Sequence, residues 1–166
     1  MSYYSFYTNT IHSDFLRPNR FRISSTTLGN GLTVKSASIP QIQVGTASAF
    51  YAGRSIPLAG DVTLDPWTVT IYLDKKAELY LKFVDWSKDA IFNIENNTGK
   101  TYGEMKKEDI EIEHLDRDRN NNTITSTILK SAWPSVISPI ELDHGTNNSI
   151  SEVQVTFNYE NISYPK

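Results

Sequence analysis

Residues 67–73 read Trp-Thr-Val-Thr-Ile-Tyr-Leu, and this stretch decides the fold class. Bulky apolar side chains alternate with Thr and Tyr, which is the period-two pattern of a strand that buries one face. The residues expected on the buried face are Trp67, Val69, Ile71 and Leu73. The stretch therefore predicts a β-strand lying on a hydrophobic core.

The same alternation recurs on both sides of this strand. The segments that show it are residues 19–25, 110–115, 123–130 and 153–159. Together with shorter runs they predict about seven or eight strands, which is typical of an antiparallel β-sandwich or barrel. The fold class expected from the sequence is therefore mainly β.

Turn residues suggest how these strands connect. Gly29-Asn30-Gly31 predicts a tight reversal into residues 32–34, which makes an opening hairpin with the first segment. The polar residues 116–122 predict a second hairpin. Trp133-Pro134 is expected to interrupt the sheet ladder, and residues 140–142 are expected to form a short strand.

One segment has helical spacing instead. Leu79, Phe83 and Trp86 recur every three or four residues, with charged residues between them, and Asp74 precedes them in a capping position. We therefore expect one flanking amphipathic α-helix over residues 75–88.

Residues 36–61 are rich in Ala, Ser and Gly, so they can bury little surface by themselves. Ala52-Gly53 is placed to turn a hairpin, and Pro57 and Gly60 are placed to close it. This predicts a protruding hairpin or loop arm, and an ordinary surface loop is the alternative.

Bulk properties limit the function. The chain has 166 residues, which fits a single domain over residues 1–166, with 1–14 as an N-terminal segment. It has no Cys, which excludes disulfides and thiolate metal sites. Its net charge of −3, with dispersed Lys and Arg, argues against tight DNA binding. We find no export signal and no stretch apolar enough for a membrane span, so no membrane insertion is expected.

No arrangement of residues predicts catalysis, a cofactor or a metal site. The three His residues lack the spacing of metal-ligand motifs. Asp116 begins a stretch that imitates a calcium loop, but Asn121 stands where that loop needs Gly and Thr127 where it needs Glu. We therefore expect no catalytic, cofactor-binding or metal-binding residues, and no enzyme activity.

Five stretches of the chain, taken together, carry a family resemblance. The stretches are residues 16–21 (LRPNRF), 56–70 (IPLAGDVTLDPWTVT), 82–86 (KFVDW), 133–135 (WPS) with 140–143 (IELD), and 147–150 (NNSI) with the final strand 153–159. They resemble the major tail tube protein of contractile-tailed, myovirus-type bacteriophages. They occur in the order and with the spacing of that family, and the resemblance covers roughly residues 15–159.

This resemblance implies a structural subunit of the virion that is assembled in the host cytoplasm. Copies of such a subunit form hexameric rings, which stack helically into a hollow conduit for DNA ejection inside a contractile sheath. The implied partners are further copies of the chain, the tail sheath protein, a baseplate tube initiator, a tail terminator, a tape-measure protein in the lumen and transiently passing phage DNA that does not stick.

The resemblance also implies candidate sites. In such tubes an arm like residues 36–61 reaches a neighbouring subunit, and exposed aromatic residues contribute much interface energy. The candidate inter-subunit residues at the arm tip are Ala49, Phe50, Tyr51, Ala52, Gly53, Arg54, Ser55 and Ile56. The alternative is that Phe50 and Tyr51 fold back onto their own core.

A conduit for DNA needs a hydrophilic wall that is neutral or acidic, because each phosphate that Lys or Arg neutralises adds affinity. The candidate lumen-facing residues are Thr68, Thr70, Glu152, Gln154, Thr156 and Asn158. The alternative is that these polar strand faces lie outside, against the sheath or the helix.

Other functions fit some of the same features. A tube initiator of the baseplate, or the inner tube of a phage-derived injection particle, would share the fold. A β-sandwich that binds a carbohydrate or a receptor would use exposed Trp and Tyr side chains. An enzyme has the least support.

Overall fold

The computed structural model describes residues 16–26, 29–30, 33–90, 92–93, 98–116, 122–145 and 149–165. The predicted N-terminal segment 1–14 lies outside these residues. So do Gly31 and Leu32 of the predicted first reversal and the centre of the polar turn at residues 117–121.

Within this part of the chain there are twelve strands and one helix. The strands are β1 (Phe21–Ser25), β2 (Gly29–Asn30), β3 (Val34–Ala37), β4 (Ile42–Tyr51), β5 (Arg54–Leu64), β6 (Trp67–Tyr72), β7 (Phe92–Asn93), β8 (Thr98–Gly99), β9 (Glu108–Leu115), β10 (Thr123–Ile137), β11 (Glu152–Asn158) and β12 (Asn161–Ser163). The helix is α1 (Glu78–Ala90). No helix among the described residues has both the length and the apolar character that crossing a membrane requires.

Eight strands form the main antiparallel sheet. Their order is β2-β1-β9-β10-β11-β6-β3, and β12 also pairs with β10. The strand β10 links the two halves, because its first part pairs with β9 and its last part with β11. The register shifts between Leu129 and Ala132, and Ser131 between them has a φ of 54°. This irregularity lets one long strand belong to both halves.

The expectation that Trp133-Pro134 would interrupt the ladder was wrong. Both residues lie inside β10, where Trp133 pairs with Asn158 and Pro134 with Phe157. A register shift follows between Pro134 and Val136. A strand tolerates proline at such an irregularity, because a missing N–H there need not cost a ladder hydrogen bond.

The core forms where the two halves of the sheet and α1 meet. Its buried side chains come from β1, β6, α1, β9, β10 and β11. On β6 the predicted alternation is confirmed, since Trp67, Val69 and Ile71 are buried while Thr68 and Thr70 are only partly so. The fold is thus mainly β and antiparallel, of the sandwich or barrel kind, with one flanking helix and a separate hairpin.

The helix begins at Glu78 rather than at residue 75 and ends at Ala90 rather than at residue 88. Ala77 has a φ of 51°, a left-handed conformation that cannot continue a right-handed helix. Asp74 accepts a hydrogen bond from the backbone N–H of Glu78 at 3.0 Å, so it satisfies one donor of the first turn.

Two other expectations about strands were wrong. Strand β1 pairs with β2 through Ser25 and Gly29, so the reversal comes before Gly29 instead of at Gly29 to Gly31. Val34 belongs to β3, which pairs with β6 and not with β1. Residues 140–142 form no strand. The short strand β12 was not expected.

Candidate assembly surfaces

The arm is a two-stranded hairpin made of β4 and β5. Among the strands that the structure describes, these two pair only with each other, from Ile42 with Leu64 to Tyr51 with Arg54. The turn is Ala52-Gly53, whose φ values of 48° and 77° are the two positive angles of a type I′ hairpin turn. This confirms the position at which the sequence was expected to reverse.

The eight predicted inter-subunit residues lie together at the end of this hairpin. Ala49 pairs with Ile56, Phe50 with Ser55 and Tyr51 with Arg54. The side chains of Phe50 and Tyr51 are 82% and 76% exposed, so neither folds back onto the core of its own chain. Two aromatic rings in water at the end of an extended ribbon are available for another molecule to cover.

The predicted lumen-facing residues come from two strands, and the structure brings them onto one face. In the β6–β11 pair, Thr68 lies opposite Thr156 and Thr70 opposite Gln154. The hydroxyl oxygens of Thr68 and Thr156 are 3.1 Å apart, within hydrogen-bond distance. Cross-strand partners share a face, and the buried residues of both strands alternate with this polar set. The two candidate groups are therefore one surface, which we call the polar face: Thr68, Thr70, Glu152, Gln154, Thr156 and Asn158.

The one carboxylate of the polar face is paired. Lys35 on β3 donates to both carboxylate oxygens of Glu152, at 2.6 and 2.8 Å. The hydrogen bond to Glu152 raises the pKa of Lys35 above its ordinary value, although partial desolvation opposes the change. Hydroxyl and amide groups supply the rest of the polar face, so this ion pair leaves it close to neutral.

A groove of about 850 Å³ borders the polar face. Thr70, Glu152 and Gln154 line one side of it, and the segment between β10 and β11, which includes Glu141 and Asp143, lines the other. The acidic residues of this segment make the rim of the groove unattractive to phosphate.

Sequence reasoning placed the candidate inter-subunit contacts at the arm tip and missed those nearer its base. Ile42, Val44, Leu58 and Val62 are exposed as well. The signal that could have found them is the alternation of Ile56, Leu58, Val62 and Leu64 along β5.

Other charged and aromatic residues have structural roles. Arg22 and Thr123 donate hydrogen bonds to the carboxylate of Glu113, which lowers its pKa. Trp67 and Trp86 are buried, and their indole N–H groups donate to the backbone oxygens of Ser38 and Lys106. Buried indole rings cannot stack on a sugar, so these two Trp residues give no support to a carbohydrate-binding module.

No group of three or more His, Asp or Glu side chains in the described ranges is placed to hold a metal ion. Of the stretch that imitates a calcium loop, residues 117–121 lie outside those ranges. The described residues offer two candidate functional surfaces: an exposed arm with an apolar tip, and a nearly neutral polar face.

Known proteins are similar to this chain in sequence or in fold. The chain is 34% identical over 146 residues to tail tube protein gp19 of Enterobacteria phage T4, which covers 86% of this chain and 88% of that protein. It is 33% identical over the same length to tail tube protein gp19 of Enterobacteria phage T6, with the same coverage. The sheath/tube terminator of an extracellular contractile injection system, PVC, superposes with a TM-score of 0.73 over 94% of this chain and all of that one, at 15% identity.

The family profile described as "Phage tail tube protein" matches residues 14–164, which is nearly the whole chain. That match and the identity to the two phage proteins agree with the resemblance of the five sequence stretches. This chain is a member of the phage tail tube protein family.

Proposed function

We propose that this chain is the non-enzymatic building block of the tail tube of a contractile phage virion. Its copies close into hexameric rings, and the rings stack helically into a conduit for DNA ejection. The observation that supports this best is the arm. A two-stranded ribbon is only marginally stable by itself in water, and one that exposes large apolar side chains needs another molecule to cover it.

The sheet also supports closure into rings. Its order runs from β2 at one end to β3 at the other, and both end strands have an unpaired edge among the described residues. Unpaired edges promote uncontrolled pairing between chains, and a ring that places copies side by side covers them. A second contact between unlike surfaces does not close, so it stacks the rings into an open filament.

The polar face is proposed as the wall of the channel. It offers hydroxyl and amide groups, and its Glu152 carboxylate is neutralised by Lys35. DNA that meets no free cation gains little affinity, so it can slide through without being held.

The further partners follow from the same proposal. The outside of the tube contacts the sheath, its two ends contact a baseplate initiator and a terminator, and a tape-measure protein occupies the lumen before DNA does. The terminator structure that shares this fold is consistent with one fold serving several positions in a tube.

Negative-stain electron microscopy of the purified chain over a concentration series tests the proposal. Rings or hollow tubes of constant width are expected. Replacing residues 50–55 by Asn-Gly joins Ala49 to Ile56, which already face each other and both carry a backbone N–H, and shortens the arm without touching the core. We expect this variant to fold and to stop forming tubes. A chain that stays monomeric at every concentration, also after fragments of assembled tube are added as seeds, would contradict the proposal.

A further inference from the structure

The apolar side chains of the arm divide between its two faces. Near the main sheet, Ile42 pairs with Leu64 and Val44 with Val62, and cross-strand partners lie on the same face. We call these four residues the proximal patch. Leu64 packs against the core of its own chain, while Ile42, Val44 and Val62 are 44% to 61% exposed.

Nearer the turn, Ala47 pairs with Leu58 and Ala49 with Ile56. We call these four residues the distal patch. Side chains alternate between faces along a strand, so Val44 and Ala47, an odd number of residues apart on β4, point to opposite faces. The distal patch therefore lies on the face opposite to the proximal patch.

A β-bulge produces this division. Between the pairs Val44–Val62 and Thr46–Ala59, β4 contributes only Gly45 while β5 contributes Gly60 and Asp61. In a regular strand the even-numbered apolar residues of β5 (Ile56, Leu58, Val62 and Leu64) would all share one face. The extra residue moves Ile56 and Leu58 to the other face.

Two glycines make the bulge possible. A Cβ atom on Gly60 would lie 3.0 Å from the carbonyl carbon of Gly45 and 3.1 Å from its oxygen. A Cβ atom on Gly45 would lie 3.2 Å from the backbone oxygen of Asp61. These distances are shorter than a Cβ atom usually keeps from backbone atoms, so glycine at these two positions favours the bulge.

We infer that in the assembled tube other copies of this chain cover the proximal patch on one face of the arm and the distal patch on the other, so that the two patches contact two different surfaces and the face opposite to the proximal patch, at the level of that patch, stays open. The inference rests on the proposed function, because it takes the partners to be further copies. A flat ribbon with apolar side chains on one face would need a single partner, whereas this ribbon needs one on each side.

The chemistry of the arm fits this partner. Arg54 and Asp61 are the only charged residues between Ile42 and Leu64, so the surfaces that receive the arm are apolar and uncharged. The chain exposes large apolar residues elsewhere, among them Ile124, Val136 and Ile150. In a polymer of one chain, such residues are available to cover the apolar patches of a neighbouring copy.

Single cysteines test the inference, since the chain has no Cys of its own. Val44→Cys and Leu58→Cys probe the two patches. Gln43→Cys and Thr63→Cys, an exposed cross-strand pair, probe the face opposite to the proximal patch at the same level of the arm. Each variant is assembled as a minor component with a large excess of the unsubstituted chain, so that tubes form whether or not the variant assembles alone. Its alkylation rate by a maleimide is then compared with that of the unassembled variant.

We expect the alkylation rates of Val44→Cys and Leu58→Cys to be at least about tenfold lower in tubes than in the free chain. Gln43→Cys and Thr63→Cys are expected to keep most of their reactivity. Protection of Val44→Cys without Leu58→Cys, or the reverse, would show that only one face is covered, and protection of all four would show that the cover is not confined to the two patches. Either result overturns the inference. Failure of the unsubstituted chain to form tubes would contradict the proposed function instead.

Two length variants provide a matched second test. Deleting Asp61 removes the bulge but leaves Leu58 and Ile56 opposite the same residues of β4, so the patches stay on separate faces. Inserting one Gly after Gly45 also makes the ladder regular, but it moves Leu58 and Ile56 onto the face of Val62. We expect the deletion variant to enter tubes far better than the insertion variant, as measured by sedimentation with excess unsubstituted chain. Equal incorporation would overturn the inference.

Discussion

Phe157 on β11 is the residue at which the aromatic packing of the core converges. Its ring centroid lies 5.6 Å from that of Trp67, 5.7 Å from that of Trp86 and 6.0 Å from that of Phe83. These neighbours belong to β6 and α1, so this one side chain links two strands to the helix. Aromatic pairs at such distances contribute about 0.5–1.5 kcal/mol beyond the burial of their surface.

Phe157→Ala should therefore lower the free energy of unfolding by about 3–5 kcal/mol, because it removes a large buried ring and leaves a cavity. Urea denaturation of the dilute, unassembled chain measures this change. The control is Phe50→Ala, which removes the same ring from the exposed arm and should change the free energy of unfolding by less than about 0.5 kcal/mol. Similar losses from both variants would contradict the distinction between core and arm.

The ion pair of Glu113 and Arg22 makes stability depend on pH. Hydrogen bonds from Arg22, and then from Thr123, hold the pKa of Glu113 below its ordinary value of 4.5, although desolvation opposes them. A carboxyl group whose pKa is lowered by folding stabilises the native state above the ordinary pKa. That stabilisation is lost as the pH falls through the lower pKa of the folded state.

Glu113→Gln should consequently cost about 1 kcal/mol or less at neutral pH, since Arg22 is partly exposed and water screens the pair. Below pH 4.5 the variant should lose stability less steeply than the unsubstituted chain, as measured by urea denaturation at a series of pH values. Glu141→Gln, on an exposed segment, is the control and should be neutral within about 0.5 kcal/mol at pH 7. An identical acid dependence of Glu113→Gln and the unsubstituted chain would exclude this role for Glu113.

At the scale of elements, α1 depends on the residues just before it. Asp74 accepts a hydrogen bond from the N–H of Glu78. Asp74→Ala removes this acceptor and should lower the free energy of unfolding by about 1 kcal/mol, the usual effect of losing a capping side chain. Asp74→Asn keeps an oxygen acceptor and should cost much less. Thermal unfolding of both variants measures the difference, and equal melting temperatures would show that the cap contributes nothing.

Elements with strong local patterns were predicted from the sequence. The alternation on β6 and β11 and the spacing of Phe83 and Trp86 each determine a buried face, and Ala52-Gly53 determines a turn. These features depend on residues close together in the sequence, so their physical causes are visible in it.

Elements that depend on distant partners were not predicted. The continuation of β10 through Pro134 requires the irregular pairing with β11, and β3 lies beside β6 because the main sheet accepts it there. The polar residues of β6 and those of β11 share one face only because of the register between the strands, which places Thr68 opposite Thr156. The bulge at Gly60 and Asp61, opposite Gly45, reverses the distal half of an arm whose alternation suggests a single apolar face.

At the scale of the whole molecule, the exposed apolar surface of the arm and the polar face of the main sheet are separate surfaces. The arm carries exposed apolar side chains and only two charges. The polar face has hydroxyl and amide groups and a neutralised carboxylate. A tube subunit needs both properties, because its copies must hold one another firmly while the DNA that passes must not be held at all.

A change of charge at Gln154 tests which surface lines the channel. Gln154 is exposed on the polar face, and in a tube the substitution is repeated in every subunit. If the polar face lines the lumen, tubes of Gln154→Lys assembled in the presence of DNA should retain DNA that nuclease cannot reach. This retention should weaken as salt rises, since each phosphate contact adds about 0.9 to the slope of log affinity against log salt. Gln154→Glu, at the same position, should retain none. DNA bound by the Lys variant but fully open to nuclease would place the polar face on the outside of the tube, because only DNA inside a closed wall is shielded.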